Sequence, residues 1–92
     1  MEQKNLVQLA KDRARELEDM LSREGGFYDF THRDDVMCAK TMFANMYYAK
    51  DTVGDAVVLG TVSDVMGKYF ITAAAQDIVT KQTETVQSKV CY

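Results

Sequence analysis

The sequence predicts an all-α domain of three helices, and three observations carry that expectation. Leu6, Leu9, Ala10, Ala14, Leu17, Met20 and Leu21 recur at steps of three and four, which is one apolar stripe of an amphipathic helix. The chain has no proline, so long helices meet no obstacle. Its 47% hydrophobic and 27% charged residues are the balance of a folded domain, not of a disordered segment.

The first helix is placed at about 3–24. Lys11, Asp12, Arg13, Arg15, Glu16, Glu18 and Asp19 occupy the side away from the apolar stripe. Asp19 stands four residues before Arg23, the favourable acid-first order, and Gly25-Gly26 ends the helix. Phe27-Tyr28-Asp29-Phe30 follows as an aromatic connector, expected to fold back because three rings in four residues are costly to expose.

Thr31 and Asp34 resemble a capping box, and Asp34-Asp35 suit the positive end of a helix dipole. They open a second helix, about 32–50. Val36, Met37, Cys38, Ala39, Met42, Phe43, Ala44, Met46, Tyr47, Tyr48 and Ala49 make it apolar nearly all round, a girth that asks for cover on more than one side.

Asp51-Thr52 cap a third helix, about 53–82. The run Val57-Val58-Leu59 favours a strand, but no other segment reads as its partner, so it is assigned to the helix. Gly54, Gly60 and Gly67 each weaken that helix by about 1 kcal/mol relative to alanine. Gly60, Ser63, Gly67 and Ala74 fall on one narrow face that would admit another helix closely. The polar tail, 82–92, frays. The expected molecule is a single domain, 1–92, in which the second and third helices form a long hairpin packed in a homo-oligomer.

Length and charge narrow the function. A chain of 92 residues is one domain with a thin core. Its net charge of −3, from 14 acidic and 11 basic residues, gives no general attraction to phosphate. The mixed run Lys11–Arg15 is the densest basic stretch, so no nucleic-acid partner is expected. Met1-Glu2-Gln3-Lys4-Asn5 has no signal-peptide character. The charge-free runs Ala56–Ser63 and Tyr69–Gln76 fall far short of the roughly 20 residues of a membrane span. Cys38 and Cys91 match no metal spacing and read as reduced thiols. The expectation is a cytoplasmic protein with no membrane partner.

Residues with chemistry are few. His32 lies among Asp29, Asp34 and Asp35, a set that could bind a cation or place a base, though capping aspartates and a surface histidine explain it more simply. The letters His32-Arg33-Asp34 match part of a kinase catalytic loop, without the glycine-rich loop such a site requires. Cys38 has no convincing base within reach and reads as a structural thiol.

The segment Lys50-Asp51-Thr52-Val53-Gly54-Asp55-Ala56-Val57-Val58-Leu59 resembles the second metal-binding motif of the all-α nucleoside triphosphate pyrophosphohydrolases of the MazG type. In that family a glutamate three residues before the aspartate helps hold magnesium, and an upstream E-x-x-E motif supplies the remaining ligands. Asp55 matches the aspartate, while Thr52 stands where the glutamate belongs. Glu16 and Asp19 have the upstream spacing. The resemblance implies an Mg2+-dependent hydrolase with Glu16, Asp19 and Asp55 as ligands.

The preferred reading is a non-enzymatic helical regulator, adaptor or inhibitor. It binds another protein and itself, with no cofactor, through Met42, Met46, Tyr47, Tyr48, Gly60, Ser63 and Gly67. The magnesium-dependent hydrolase is the first alternative. A nucleotide- or small-molecule-binding oligomer, with Tyr47, Tyr48 and Lys50 as contacts, is the second.

Overall fold

The computed structural model describes residues 5–91, and it keeps only the first of the three expected helices. Helix α1 spans Leu6–Ser22, with Asn5 as N-cap accepting from the Gln8 amide at 3.1 Å. It lies inside the expected 3–24; residues 3 and 4 fall outside the described residues. A short helix α2, Gly26–Thr31, follows. The remainder is strand: β1 (Val36–Lys40), β2 (Asn45–Val53), β3 (Ala56–Val65), β4 (Lys68–Asp77) and β5 (Thr83–Cys91).

The strands form one antiparallel sheet in the order β1-β2-β3-β4-β5, each paired with its neighbour in sequence. The all-α expectation is therefore wrong. The supposed second helix, 32–50, is a loop followed by β1 and the first part of β2. The supposed third helix, 53–82, is the end of β2, then β3, β4 and the loop after them. The tail expected to fray supplies β5, and the helical hairpin does not exist.

The physical reason lies in a period of two that the helical reading overlooked. Along β3 the even positions Ala56, Val58, Gly60 and Val62 are buried and the odd ones half-exposed. Along β4 the odd positions Ile71, Ala73 and Ala75 are buried. Alternation of this kind is the mark of a strand with one packed face.

Turns supply the rest of the explanation. Val53 pairs with Ala56, and Val65 with Lys68, so each connection has two residues, Gly54-Asp55 and Met66-Gly67. Met66 and Gly67 both adopt positive φ, 54° and 81°, the type I′ geometry that matches strand twist. Glycine marks a turn at 54 and 67; it does not interrupt a helix there.

Helix α1 packs across one face of the sheet. Leu17, Leu21 and Phe30 meet Val62, Ile71 and Ala73 in one cluster; Leu6 and Ala10 meet Ala56, Val58 and Ala75 in another. Gly60 sits beneath the helix, where a Cβ would lie 2.9 Å from Leu17 Cδ1 and 3.4 Å from Arg13 Cδ. The element that closely approaches Gly60 is the chain's own α1, and no helical face of Gly60, Ser63 and Gly67 exists to admit another. Phe27, from the aromatic connector, stacks on Tyr69 at 4.4 Å and meets the edge of Tyr47 at 5.2 Å.

Candidate functional site: the bare face of the sheet

Register decides which side chains share a face. Tyr47, Ala49 and Asp51 of β2 lie on the helix side with Val62, Gly60 and Val58, their partners in β3. Met46, Tyr48 and Lys50 therefore point to the other side, with Leu59, Thr61 and Ser63 of β3 and Phe70, Thr72 and Ala74 of β4. Met37 of β1 and Gln87 and Lys89 of β5 complete that face. No described helix covers it. Met37 is 56% and Phe70 40% exposed, while the central Thr61 and Thr72 are half-buried among their neighbours.

Charge is sorted between the two faces, with Lys40 of β1, on the helix side, as the exception. The carboxylates of the strands, Asp51, Asp64, Asp77 and Glu84, all take helix-side positions by register. Lys50, Lys68 and Lys89 take bare-face positions. Among the described strand residues the bare face thus carries lysines and no acid, in a chain whose net charge is −3. Asp35, which precedes β1, is engaged by Arg33 at 3.0 and 2.7 Å. That guanidinium holds the Asp35 carboxyl below its usual range.

The residues expected at an interface are not brought together as one patch. Met46, Tyr48 and Ser63 share the bare face. Tyr47 belongs to the helix-side core against Phe27, where burial first, then Cys38 and Asp64, push its phenol above the ordinary value. Gly60 lies under α1. Met42 sits at the tip between β1 and β2, and Gly67 in the turn between β3 and β4.

The catalytic and metal candidates separate as well. Glu16 and Asp19 lie on α1, whereas Asp55 lies in the β2–β3 turn. The segment that resembled the pyrophosphohydrolase motif is a β-hairpin and not a helix. Among the described residues no three histidine, cysteine or acidic groups stand close enough to hold a metal ion. His32 stacks on Tyr28 at 3.8 Å and donates from Nδ1 to the Tyr28 carbonyl at 2.9 Å, contacts that fix it locally. Cys38 is a free, exposed thiol on β1; the side chain of Cys91 falls outside the described residues.

The sequence singles out Lys50 and Met42 one by one, but not the lysine set or the exposed hairpin tips to which they belong. Lys50, Lys68 and Lys89 are far apart along the chain, so no local run betrays them; only strand parity, once the strands are known, shows that they share a face. Met42, Phe43 and Met66 are 89%, 87% and 96% exposed on two hairpin tips at the same end of the sheet. Among the described residues no helix is long and apolar enough to cross a membrane. Comparison with protein-family models, with curated proteins and with solved structures finds no match.

Proposed function

We propose that this chain is a non-enzymatic binding module whose working surface is the bare face of its sheet. The observation that carries this reading is the contrast between the two faces. One is sealed by α1; the other presents Met37, Tyr48, Leu59 and Phe70 within a field of threonine, serine and lysine. Met37 and Phe70 are exposed and Tyr48 and Leu59 half-buried, and an uncovered sheet face with apolar side chains in a polar surround is the kind of surface that partners use. No constellation of base, nucleophile and orienting group accompanies it among the described residues, so binding is the chemistry the surface supports.

Thr61 lies at the centre of the face, and Thr61→Glu would place a charge there without touching the core. Beads bearing either form, exposed to extract of the expressing cells, test the reading. A partner kept by the parent chain and lost by Thr61→Glu supports it. A partner kept equally by both forms overturns it.

The hairpin tips favour a second reading, association with a protein, a second copy included. Met42, Phe43 and Met66 expose three large apolar side chains at one end, more than an isolated surface residue would need to explain. Light scattering at micromolar concentration should then give at least twice the 10.4 kDa chain mass, falling to one mass for Met42→Ser combined with Phe43→Ser. A monomeric parent chain counts against self-association.

A further inference from the structure

Resting on the bare-face reading, we infer that the occupant of this face is a single-stranded nucleic acid, held by base stacking on Tyr48 and Phe70 and by phosphate contacts to Lys50, Lys68 and Lys89. The argument begins with charge. A second copy laid face to face would set lysines against lysines with no strand carboxylate to meet them, because register sends Asp51, Asp64, Asp77 and Glu84 to the other side. Like charges so opposed disfavour the pairing. The face calls for an anionic partner.

Ring placement then selects among anions. Tyr48 is opposite Thr61, which is opposite Thr72; Phe70 is one same-face step from Thr72. Two strand spacings and one step put the two rings about 12 Å apart. Each ring has ammonium groups beside it. Lys50 is one same-face step from Tyr48, about 7 Å along the strand. Lys68 stands at the same interval from Phe70, and Lys89 directly across from Phe70 on β5. Among the described residues neither ring packs against another aromatic, whereas on the covered side Phe27 stacks on Tyr69 and meets Tyr47 edge-on.

A sheet that presents unstacked rings with cations beside them suits unpaired bases joined by phosphates. An acidic polypeptide would satisfy the lysines but has no planar groups in register with the rings. Duplex is less suited, since these rings reach only unpaired bases. Nor does α1 offer a phosphate track, because Lys11 and Arg15 on it are interspersed with Asp12, Glu16, Glu18 and Asp19.

The test is fluorescence anisotropy with labelled ten-nucleotide oligothymidylate and oligouridylate, and with a labelled ten-residue oligoaspartate for comparison. Saturable oligonucleotide binding is expected, about 20-fold weaker at 200 mM than at 50 mM salt if three phosphates are neutralised. Phe70→Leu, which keeps the bulk and removes the ring, should weaken it about tenfold. Lys89→Gln should reduce the salt slope by about 0.7. Should Phe70→Leu melt early, the triple variant Lys50→Gln, Lys68→Gln, Lys89→Gln decides, since only exposed strand positions change and the salt dependence should vanish.

Absence of oligonucleotide binding at 50 mM salt would overturn the inference. So would oligoaspartate binding of equal strength together with indifference to Phe70→Leu, an outcome that assigns the face to an acidic protein. If Thr61→Glu still abolishes capture from extract in either case, the surface stands and only its occupant has been misassigned.

Discussion

Arg13 shows how much of this fold turns on one side chain. It is 9% exposed and lies across Gly60, and its guanidinium reaches Asp51 Oδ2 at 3.1 Å, with Glu16 at 3.8 Å. A nearly buried cation needs such a partner. The Thr52 amide, donating to Asp51 at 2.8 Å, and then Arg13 hold the Asp51 carboxyl below its ordinary 3.8. A carboxyl lowered in the folded state stabilises the fold above its unfolded value and loses that effect as pH falls through the folded value. Asp51→Asn should therefore lower the denaturation midpoint at pH 6, with the gap to the parent chain closing below about pH 4. A gap unchanged down to pH 3 would mean that the carboxylate charge does not support Arg13. Beneath the same guanidinium, Gly60→Val should cost about 1–3 kcal/mol in chemical denaturation, because Leu17 and Arg13 must both move. Stability equal to the parent's would show that α1 rides higher than 2.9 Å implies.

Among the elements, the β3–β4 hairpin carries the plainest local conflict. Met66 holds φ of 54° with a side chain 96% exposed, at a position where asparagine, aspartate or glycine is the usual occupant. Met66→Asn should relieve strain and add about 1 kcal/mol. In a chain of this size that is a rise in melting temperature of about 4–8 °C. A fall would mean that Met66 makes a contact worth more than its strain. This hairpin also shows what could be read from sequence and what could not. Helix α1 was legible because its stripe is long and regular. The strands were not, because glycine at 54 and 67 fits a weakened helix as well as the two-residue turns of consecutive hairpins. Val57-Val58-Leu59 reads as a strand only beside Gln76, Ala75 and Ala74, its partners in β4, whose own letters carry no clear strand signal. Alanine at 73, 74 and 75, a strong helix former, pulled the same way. In the fold, small side chains at 73 and 75 let α1 sit close to the sheet, so packing overrode propensity. The bare face was hidden for the same reason, since Lys50, Lys68 and Lys89 converge only through strand register.

At the scale of the whole molecule, a single helix secures an open sheet, and that cover is uneven. α1 packs on β3, β4 and β5, whereas β1 packs mainly on β2, with a small contact to α2 and Val36 at the margin of the core. The two edge strands are therefore not equivalent. β5 is pinned by Val86, which joins both core clusters, and by Ser88, which donates to Glu18 on α1. β1 has five residues, of which only Val36 is half-buried and the other four are exposed. Local opening follows the density of buried contacts. Amide hydrogen exchange should thus run fastest in β1, more slowly in β2 and β5, and slowest in β3 and β4, whose amides open only with global unfolding. Leu17→Ala, at a site 1% exposed, should cost about 2–5 kcal/mol and raise exchange in β3, β4 and β5 together. β1 should be nearly unaffected, because its opening does not pass through α1. If β5 instead exchanges as fast as β1, the link through Val86 and Ser88 does not hold that edge. The sheet would then present two loose margins, and a binding surface that includes Lys89 would be assembled only when its partner arrives.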